Sequence, residues 1–563
     1  MNWFIDQPDM LQDELKRLVA IGAKYEIDEE AQSKQQIILN VTYCIEDDKL
    51  DFVCKYPSEY PYFPPEITCE NFPPGRHLEP TGKSLCTFAD KNNKWDISND
   101  TLAGLLENQI TEIYKIHKDP EPISEFEDEL EGYQPSGQLH AELNSSITVT
   151  FDKELLASIG RGYIQIIPIK DGKKDSIRGC LSQIFDNEGK VFIKDETEFS
   201  QRFTFKIPIR WCKLSQPLTS VNYEGIYKQV ISDFPEMEKD SFVKVGRIEV
   251  EIIGVCFEEE STRGQLESNW LFLIKRKWKE KKSLVGNISI IRSDHLHPNQ
   301  SLARTPNLIG LDEKTVTIIG LGALGSQVAF QLARAGVKSF NFIDKDYLQI
   351  GNLQRWLSGL PYIGLSKVQA VSQIISNGYL GVNARSFNFE IGGTQKLQLD
   401  TEKEVLMSEF LRDEIIQKSD LVIDCSAMLN INQYLSYLCK SSQIDYIWCS
   451  ATNGAWGGIV GRSPASYTKD VWMEFNDQYG KKKIPEVSFE PSEFVQPKGC
   501  FHPTFTGTGF DLDTVSNMAS RLAISMLQSN RYGQFDDDVF IVEQFKNGVP
   551  ITPSWRSYSY KDE

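Results

Sequence analysis

Residues 314–367 concentrate residue types suited to one task, holding a polyphosphate. Val316-Thr317-Ile318-Ile319 reads as a short buried strand, Gly320-Leu321-Gly322-Ala323-Leu324-Gly325 as a glycine-rich turn, and Ser326–Ala335 as the helix that follows. In such a turn the first glycine permits the tight bend. The second lets a phosphate approach the backbone, and the third lets helix and strand pack closely. Phosphates then meet the helix N-terminus, where amides lack intrahelical partners and the dipole is positive. A second strand, Ser339–Ile343, ends in Asp344, 19 residues beyond Gly325, the place of an acid that binds a ribose hydroxyl. Asp346, Asn352, Arg355 and Lys367 follow. Hydride transfer needs little positive charge beyond a pyrophosphate, whereas expelling pyrophosphate from ATP needs cationic donors, which Arg355 and Lys367 supply. A further strand, Leu421–Ile423, ends in Asp424, at a strand's carboxyl end where it would hold Mg²⁺.

Thiols are the second reactive class. None of the eleven cysteines forms a C-x-x-C pair, so no structural zinc site is expected. Cys425, Cys439 and Cys449 lie in or beside apolar segments and are expected to pack in the core. Cys500 differs. It sits in Gly499-Cys500-Phe501-His502-Pro503, after the polar stretch 463–499 and before a helix-forming segment, Asp513–Leu527. An exposed thiol in an electropositive surround can accept an activated acyl group. Cys86 closes a second string, His77-Leu78-Glu79-Pro80-x-Gly82-x-x-Leu85-Cys86.

Residues 314–530 resemble the ThiF-type, ubiquitin-activating adenylation domain, through Gly320-x-Gly-x-x-Gly325, Asp344-x-Asp346, Asn352-Leu-x-Arg355, Gly364-x-x-Lys367 and Asp424. The resemblance implies ATP- and Mg²⁺-dependent adenylation of a protein C-terminus. It implies Asp344 on the ribose, Asn352, Arg355 and Lys367 on the phosphates, Asp424 on Mg²⁺, and Cys500 as the thioester cysteine of a crossover loop. Arg304 is a loose match to the family's upstream arginine. Residues 1–118 resemble a ubiquitin-conjugating enzyme, with Cys86 as a second thioester carrier. The sequence departs from that family's eukaryotic pattern. His77 is not followed by proline and the usual asparagine is missing, so backbone amides near Cys86 would have to stabilise the oxyanion.

Several elements must position these residues. Residues 7–22 and 101–117 carry helical apolar spacing, and Gln36–Cys44, Leu50–Tyr56 and Pro65–Cys69 read as an antiparallel meander. An acidic, proline-bearing stretch, 119–139, reads as a self-repelling linker. Residues 140–300 read as an α+β middle domain without a chemical motif. Its run Lys275-Arg276-Lys277-Trp278-Lys279-Glu280-Lys281-Lys282 reads as a solvated face, with a docking patch for an acidic partner as the alternative. The expected fold is therefore multidomain α/β and α+β: a conjugating-like domain (1–118), the linker (119–139), a middle linker domain (140–300) and a Rossmann-like adenylation domain (301–563).

The 563 residues suit several domains, and 40% hydrophobic with 25% charged residues is an ordinary globular balance. A net charge of −19 repels nucleic acid and anionic lipid, so neither is an expected partner. The N-terminal residues lack a signal-peptide pattern and the cysteines are scattered, which points to reduced thiols in the cytoplasm.

The whole arrangement resembles the fused activating and conjugating enzymes of bacterial CBASS antiviral operons. That resemblance implies a homodimer whose substrate is the C-terminus of a cGAS-like nucleotidyltransferase, or of a ubiquitin-like protein, joined to a target amine. A sulphur-carrier adenylating enzyme and a catalytically dead binding scaffold are the alternatives. The second cysteine domain argues against the first, and the intact Asp344, Arg355, Lys367 and Asp424 against the second.

Overall fold

The computed structural model describes the chain apart from residues 1–2, 74–77, 79–83, 86, 88–94, 119–140, 152–154, 156, 169–176, 187, 196–199, 201, 217, 219, 221, 246–247, 263–264, 281–282, 296–303, 394–395, 399–403, 492–505 and 562–563. The chain forms two compact units, residues 1–195 with 203–296, and residues 196–202 with 297–563. No helix among the described residues is long and apolar enough to cross a membrane.

The first unit opens with a short helix, Trp3–Asp6, and then the helix Pro8–Ala20, whose proline stands in the first turn, where a missing N–H costs no hydrogen bond. A four-stranded antiparallel meander follows in chain order, Lys24–Ile27, Ile38–Ile45, Asp48–Lys55 and Glu66–Cys69. The alternating strand faces bury Leu39, Val41, Phe52, Cys54 and Ile67 against Leu102, Leu105, Leu106, Ile110 and Ile113 of the closing helical segment. The carboxylate of Glu14 lies inside this core. It accepts hydrogen bonds from the Tyr60 hydroxyl at 2.5 Å, the Leu102 N–H at 3.1 Å and the Tyr56 hydroxyl at 3.2 Å.

The second sheet of this unit closes on itself. In order around the ring run Ile248–Thr262, Gln265–Glu280, Ser283–His295, Ala141–Val149, Ile177–Asp186, Ile159–Pro168 and Phe205–Lys213, which pairs back to Ile248–Thr262. Period-two alternation separates two apolar faces. Trp270, Phe272 and Ile274 join one cluster with Trp211 and Ile252. Leu271 and Leu273 join another with Ile226 and Val230 of the helix Tyr223–Asp233. The first three cations of the basic run are paired within the fold. Lys275 lies 3.0 Å from Asp240 and 3.4 Å from Glu251, Arg276 pairs with Glu142, and Lys277 lies 3.4 Å from Asp240. For these three residues the pairing disfavours a docking patch; Lys281 and Lys282 lie outside the described residues.

The second unit is built on an eight-stranded sheet. Asn383–Phe387, Ser339–Ile343, Thr315–Ile319, Leu421–Asp424 and Asp445–Ala451 lie side by side and parallel. Gly457–Ser463, Val539–Lys546 and Val549–Tyr558 extend it antiparallel. Parallel strands need both faces covered. On one face Val316, Ile318, Leu421 and Ile423 meet Val328 and Leu332 of the helix Ala323–Ala335, and Val515 and Leu522 of the helix Gly509–Leu527. On the other, Ile319, Val422 and Trp448 meet Leu435 and Leu438 of the helix Leu429–Ser442. Chain order reverses at the strand Thr315–Ile319, and a crevice for ligands forms outside the carboxyl ends of strands at such a point.

Candidate nucleotide-binding and activating site

The carboxyl end of Thr315–Ile319 opens directly into the glycine turn. Gly320 has φ +79°, and a Cβ there would lie 2.7 Å from the Ser426 nitrogen, so the position suits no other residue. A Cβ on Gly325 would collide with the Gly320 carbonyl. Gly322 begins the helix Ala323–Ala335, no side chain caps that end, and a Cβ on it would meet open space. The amides there suit an anion.

Asp344 braces the turn. One carboxylate oxygen accepts from the Leu321 N–H at 2.6 Å and the other from the Asp346 N–H at 2.8 Å. Each oxygen keeps acceptor capacity, which suits a ribose hydroxyl. Burial raises this carboxyl above the ordinary range, and the nearby Lys367 ammonium opposes the rise.

Lys367 is brought in by a short pairing of two segments. Leu348 N–H donates to the Leu365 carbonyl, Gly364 N–H to the Leu348 carbonyl, and Lys367 N–H to the Asp346 carbonyl at 2.9 Å. Lys367 opens the helix Lys367–Gly378, capped by Ser366. Its ammonium donates to Asp346 Oδ2 at 2.8 Å and the residue is 9% exposed. An ammonium has three donors, so two remain for phosphate oxygens.

Asn352 and Arg355 share one turn. Asn352 Oδ1 accepts from the Gln349 N–H at 2.9 Å, and Arg355 N–H donates to the Asn352 carbonyl at 3.0 Å. The next residue, Trp356, is buried, and its indole N–H donates to the Leu321 carbonyl at 2.8 Å. This link holds the Arg355 segment against the glycine turn. Trp356 carries no phosphate chemistry, and its position beside Arg355 was the only sequence signal for it. Arg304 lies on an exposed turn ahead of the first 3₁₀ segment of this unit.

Asp424, expected at a strand's carboxyl end to hold Mg²⁺, does end the strand Leu421–Asp424, and the residue is 0% exposed. Oδ1 accepts from the Ser426 N–H at 2.9 Å, and Oδ2 from Asn432 Nδ2 at 2.6 Å and from the Tyr446 hydroxyl at 3.2 Å. Burial raises this carboxyl, and those donors only oppose the rise. A carboxylate engaged by three protein donors and closed to solvent does not fit a Mg²⁺ ligand. No group of three or more His, Cys, Asp or Glu among the described residues fits a metal ion.

The core cysteines lie in apolar surroundings. Cys439 is fully buried, and Cys449 Sγ lies 3.4 Å from Cys425 Sγ beneath the glycine turn. Contact with Cys449 and burial hold the Cys425 thiol well above its ordinary range. None of the three is poised as an acyl acceptor. Cys86, with His77 and Gly82, and Cys500, with His502, lie outside the described residues, as does the linker 119–139.

Residues 300–496 match the model of the ThiF family. The protein y4oA of Sinorhizobium fredii is 25% identical over 574 residues, spanning 99% of this chain and 95% of that one. The ATP-dependent ubiquitin transferase-like protein Cap2 of Enterobacter hormaechei is 26% identical over 239 residues, 42% of this chain and 37% of Cap2. Ubiquitin-like modifier-activating enzyme 5 of Caenorhabditis elegans is 30% identical over 136 residues, 24% of this chain and 31% of that enzyme. The matches to these last two therefore span well under half of either relative. Escherichia coli MccB with ATP shares 14% identity at a TM-score of 0.33, over 45% of this chain and 67% of MccB, a likeness that carries no functional argument. The C-terminal unit thus carries a ThiF-family domain, homologous over its matched length to Cap2 and to ubiquitin-like activating enzymes.

Proposed function

We propose that the protein uses ATP to adenylate the C-terminal carboxylate of a protein and passes the acyl group through two cysteines to an amine. One observation carries the reading. Within a ThiF-family segment, the uncapped helix start at Gly322, the Asp344 carboxylate and the Asp346–Lys367 pair gather at the rim of one parallel sheet, with Arg355 tied to it through Trp356. The substrate carboxylate attacks the α-phosphate of ATP and pyrophosphate leaves. Helix amides, Arg355 and Lys367 stabilise the charge gathering on the leaving group. Asp344 holds the ribose, and Asn352 orders the turn that carries Arg355. In this reading Asp424 braces the fold and takes no part in the chemistry.

The Cys500 thiolate then attacks the acyl carbon and AMP leaves. The Cys86 thiolate takes the acyl group from Cys500, and a target amine displaces Cys86 to form the amide. Residues 1–118 supply a conjugating-like module for this last step. A helix, an antiparallel meander and a closing helical segment support that assignment. The modified protein is a cGAS-like nucleotidyltransferase or a ubiquitin-like protein, the enzyme a cytoplasmic homodimer, and the setting antiviral defence. Similarity to Cap2 supports this reading.

The test is exchange of labelled pyrophosphate into ATP, with a panel of protein and peptide C-termini. Exchange that requires a free C-terminal carboxylate supports the proposal. Exchange with none of them, in a folded protein that binds ATP, favours the scaffold reading.

A further inference from the structure

Two thiols that adenylation does not use meet beneath the glycine turn. Asp424 pairs with Trp448 in the parallel ladder, so the next residues along, Cys425 and Cys449, lie side by side. Adjacent strands are about 4.8 Å apart, within the Cα separation of about 4.4–6.8 Å that a disulfide spans. Cys449 Sγ lies 3.4 Å from Cys425 Sγ, and both residues are free thiols. Cys449 stands inside its strand and pairs with Val460 on the far side. Cys425 lies one residue past the end of its strand, where its N–H donates to the Ile319 carbonyl at 2.8 Å. Its contacts run to both ends of the turn. A Cβ on Gly325 would lie 3.1 Å from Cys425 Cβ, and one on Gly320 would lie 2.9 Å from the Cys425 carbonyl carbon.

We propose that Cys425 and Cys449 form a redox modification site, whose disulfide shifts the glycine turn and weakens ATP binding. This rests on the nucleotide site of the reading under Proposed function. The oxidant is a peroxide, here hydrogen peroxide. Cys425 is 7% exposed against 1% for Cys449, so it meets the oxidant first. The Cys425 thiolate attacks one peroxide oxygen, the O–O bond breaks, and the leaving hydroxide takes up the thiol proton as water. The Cys449 sulfur then attacks the sulfenic sulfur of Cys425. The S–O bond breaks, and hydroxide leaves with the Cys449 proton as a second water. The two sulfurs together lose two electrons and the peroxide gains them. A dithiol reverses the step by exchange. A disulfide bond is about 2.0 Å long, so bonding draws the sulfurs about 1.4 Å closer. Cys449 is fixed inside its strand. Cys425, past the end of its own, gives way, and Gly320 and Gly325 move with it. While the turn is closed, contact with Cys449 and burial keep the Cys425 thiolate scarce. ATP holds the turn closed and protects the pair, as linkage requires of two events that oppose each other.

The test treats the full chain with hydrogen peroxide, caps the remaining thiols, and takes two readings. One is the Cys425–Cys449 cross-linked peptide, found by non-reducing mass spectrometry. The other is the Kd for labelled ATP by equilibrium dialysis, which uses neither Cys86 nor Cys500. The cross-linked peptide should form, the Kd should rise about tenfold or more, and dithiothreitol should reverse both. In a glutathione buffer, saturating ATP should shift the balance about tenfold toward the dithiol. Cys449→Ala removes one sulfur and keeps the Cβ, so its Kd should stay within about twofold before and after peroxide. Should that variant not fold, Cys425→Ala, which keeps the Cβ against Gly325, serves the same comparison. No cross-linked peptide at a dose that oxidises the exposed Cys44 overturns the site. A cross-link with unchanged Kd overturns its control of the turn, as does an equal loss of affinity in the alanine variant. A reduced wild-type protein that binds no ATP overturns the nucleotide-site reading, and this control with it, whatever the cross-link shows.

Discussion

The backbone of Leu321 is held through both its peptide units: its carbonyl accepts from the Trp356 indole at 2.8 Å, and its N–H donates to Asp344 at 2.6 Å. The glycine turn is therefore fixed before any nucleotide arrives, and the Arg355 segment is fixed to the turn. Trp356→Phe keeps the ring and removes one hydrogen bond, about 1 kcal/mol. The KM for ATP in pyrophosphate exchange should rise about fivefold with the fold intact. An unchanged KM would detach Trp356 from the site.

Lys367 and Asp346 separate charge from scaffolding. Lys367→Met removes a donor to the leaving group and should lower exchange about a hundredfold. Asp346→Asn leaves the ammonium in place and should cost far less. Asp346 is 56% exposed, so neither change should move the melting temperature by more than a degree or two. Equal losses in both variants would make the pair, not the ammonium, the active element.

Asp424→Ala should act on the fold. It leaves the Asn432 amide buried without its Asp424 acceptor, at about 1–3 kcal/mol, while the Tyr446 hydroxyl falls back on the Asn432 carbonyl at 3.3 Å. Thermal unfolding should therefore shift downward, and Mg²⁺ affinity measured by calorimetry should follow the folded fraction alone. A variant with unchanged melting and lost Mg²⁺ binding would restore the metal-ligand role.

Much of the C-terminal unit was legible because its determinants are local. The glycine turn follows from sterics at Gly320 and Gly325, and Asp344 from a strand end at fixed spacing. What stayed hidden was set by distant partners. The burial of Asp424 depends on Asn432 and Tyr446, and Trp356 reaches a carbonyl 35 residues away. The strand Lys24–Ile27 escaped because three of its four residues are exposed, leaving no alternation to read. The basic run at Lys275 was ambiguous because its acids, Glu142, Asp240 and Glu251, come from other segments.

Glu14 makes the first unit sensitive to pH. Burial raises its carboxyl above the ordinary 4.5, and the Tyr60, Leu102 and Tyr56 donors offset only part of the rise. The folded state then holds this proton more tightly than the unfolded chain. Its stabilising contribution is complete below the unfolded value and is lost as pH rises through the raised folded value. Glu14→Gln should flatten that slope in urea unfolding followed by tryptophan fluorescence. Identical slopes in both proteins would mean that another group controls it.

The central claim is that adenylation comes first, needs no thiol, and feeds Cys500 before Cys86. The measurement pairs pyrophosphate exchange with non-reducing gels on the wild type, Cys500→Ala and Cys86→Ala, given ATP and the protein substrate. The account predicts that Cys500→Ala keeps exchange and loses both thiol-sensitive bands. Cys86→Ala keeps exchange and the Cys500 band, and loses only the final conjugate. A Cys86 adduct that still forms in Cys500→Ala would contradict the relay and leave Cys500 an ordinary loop thiol.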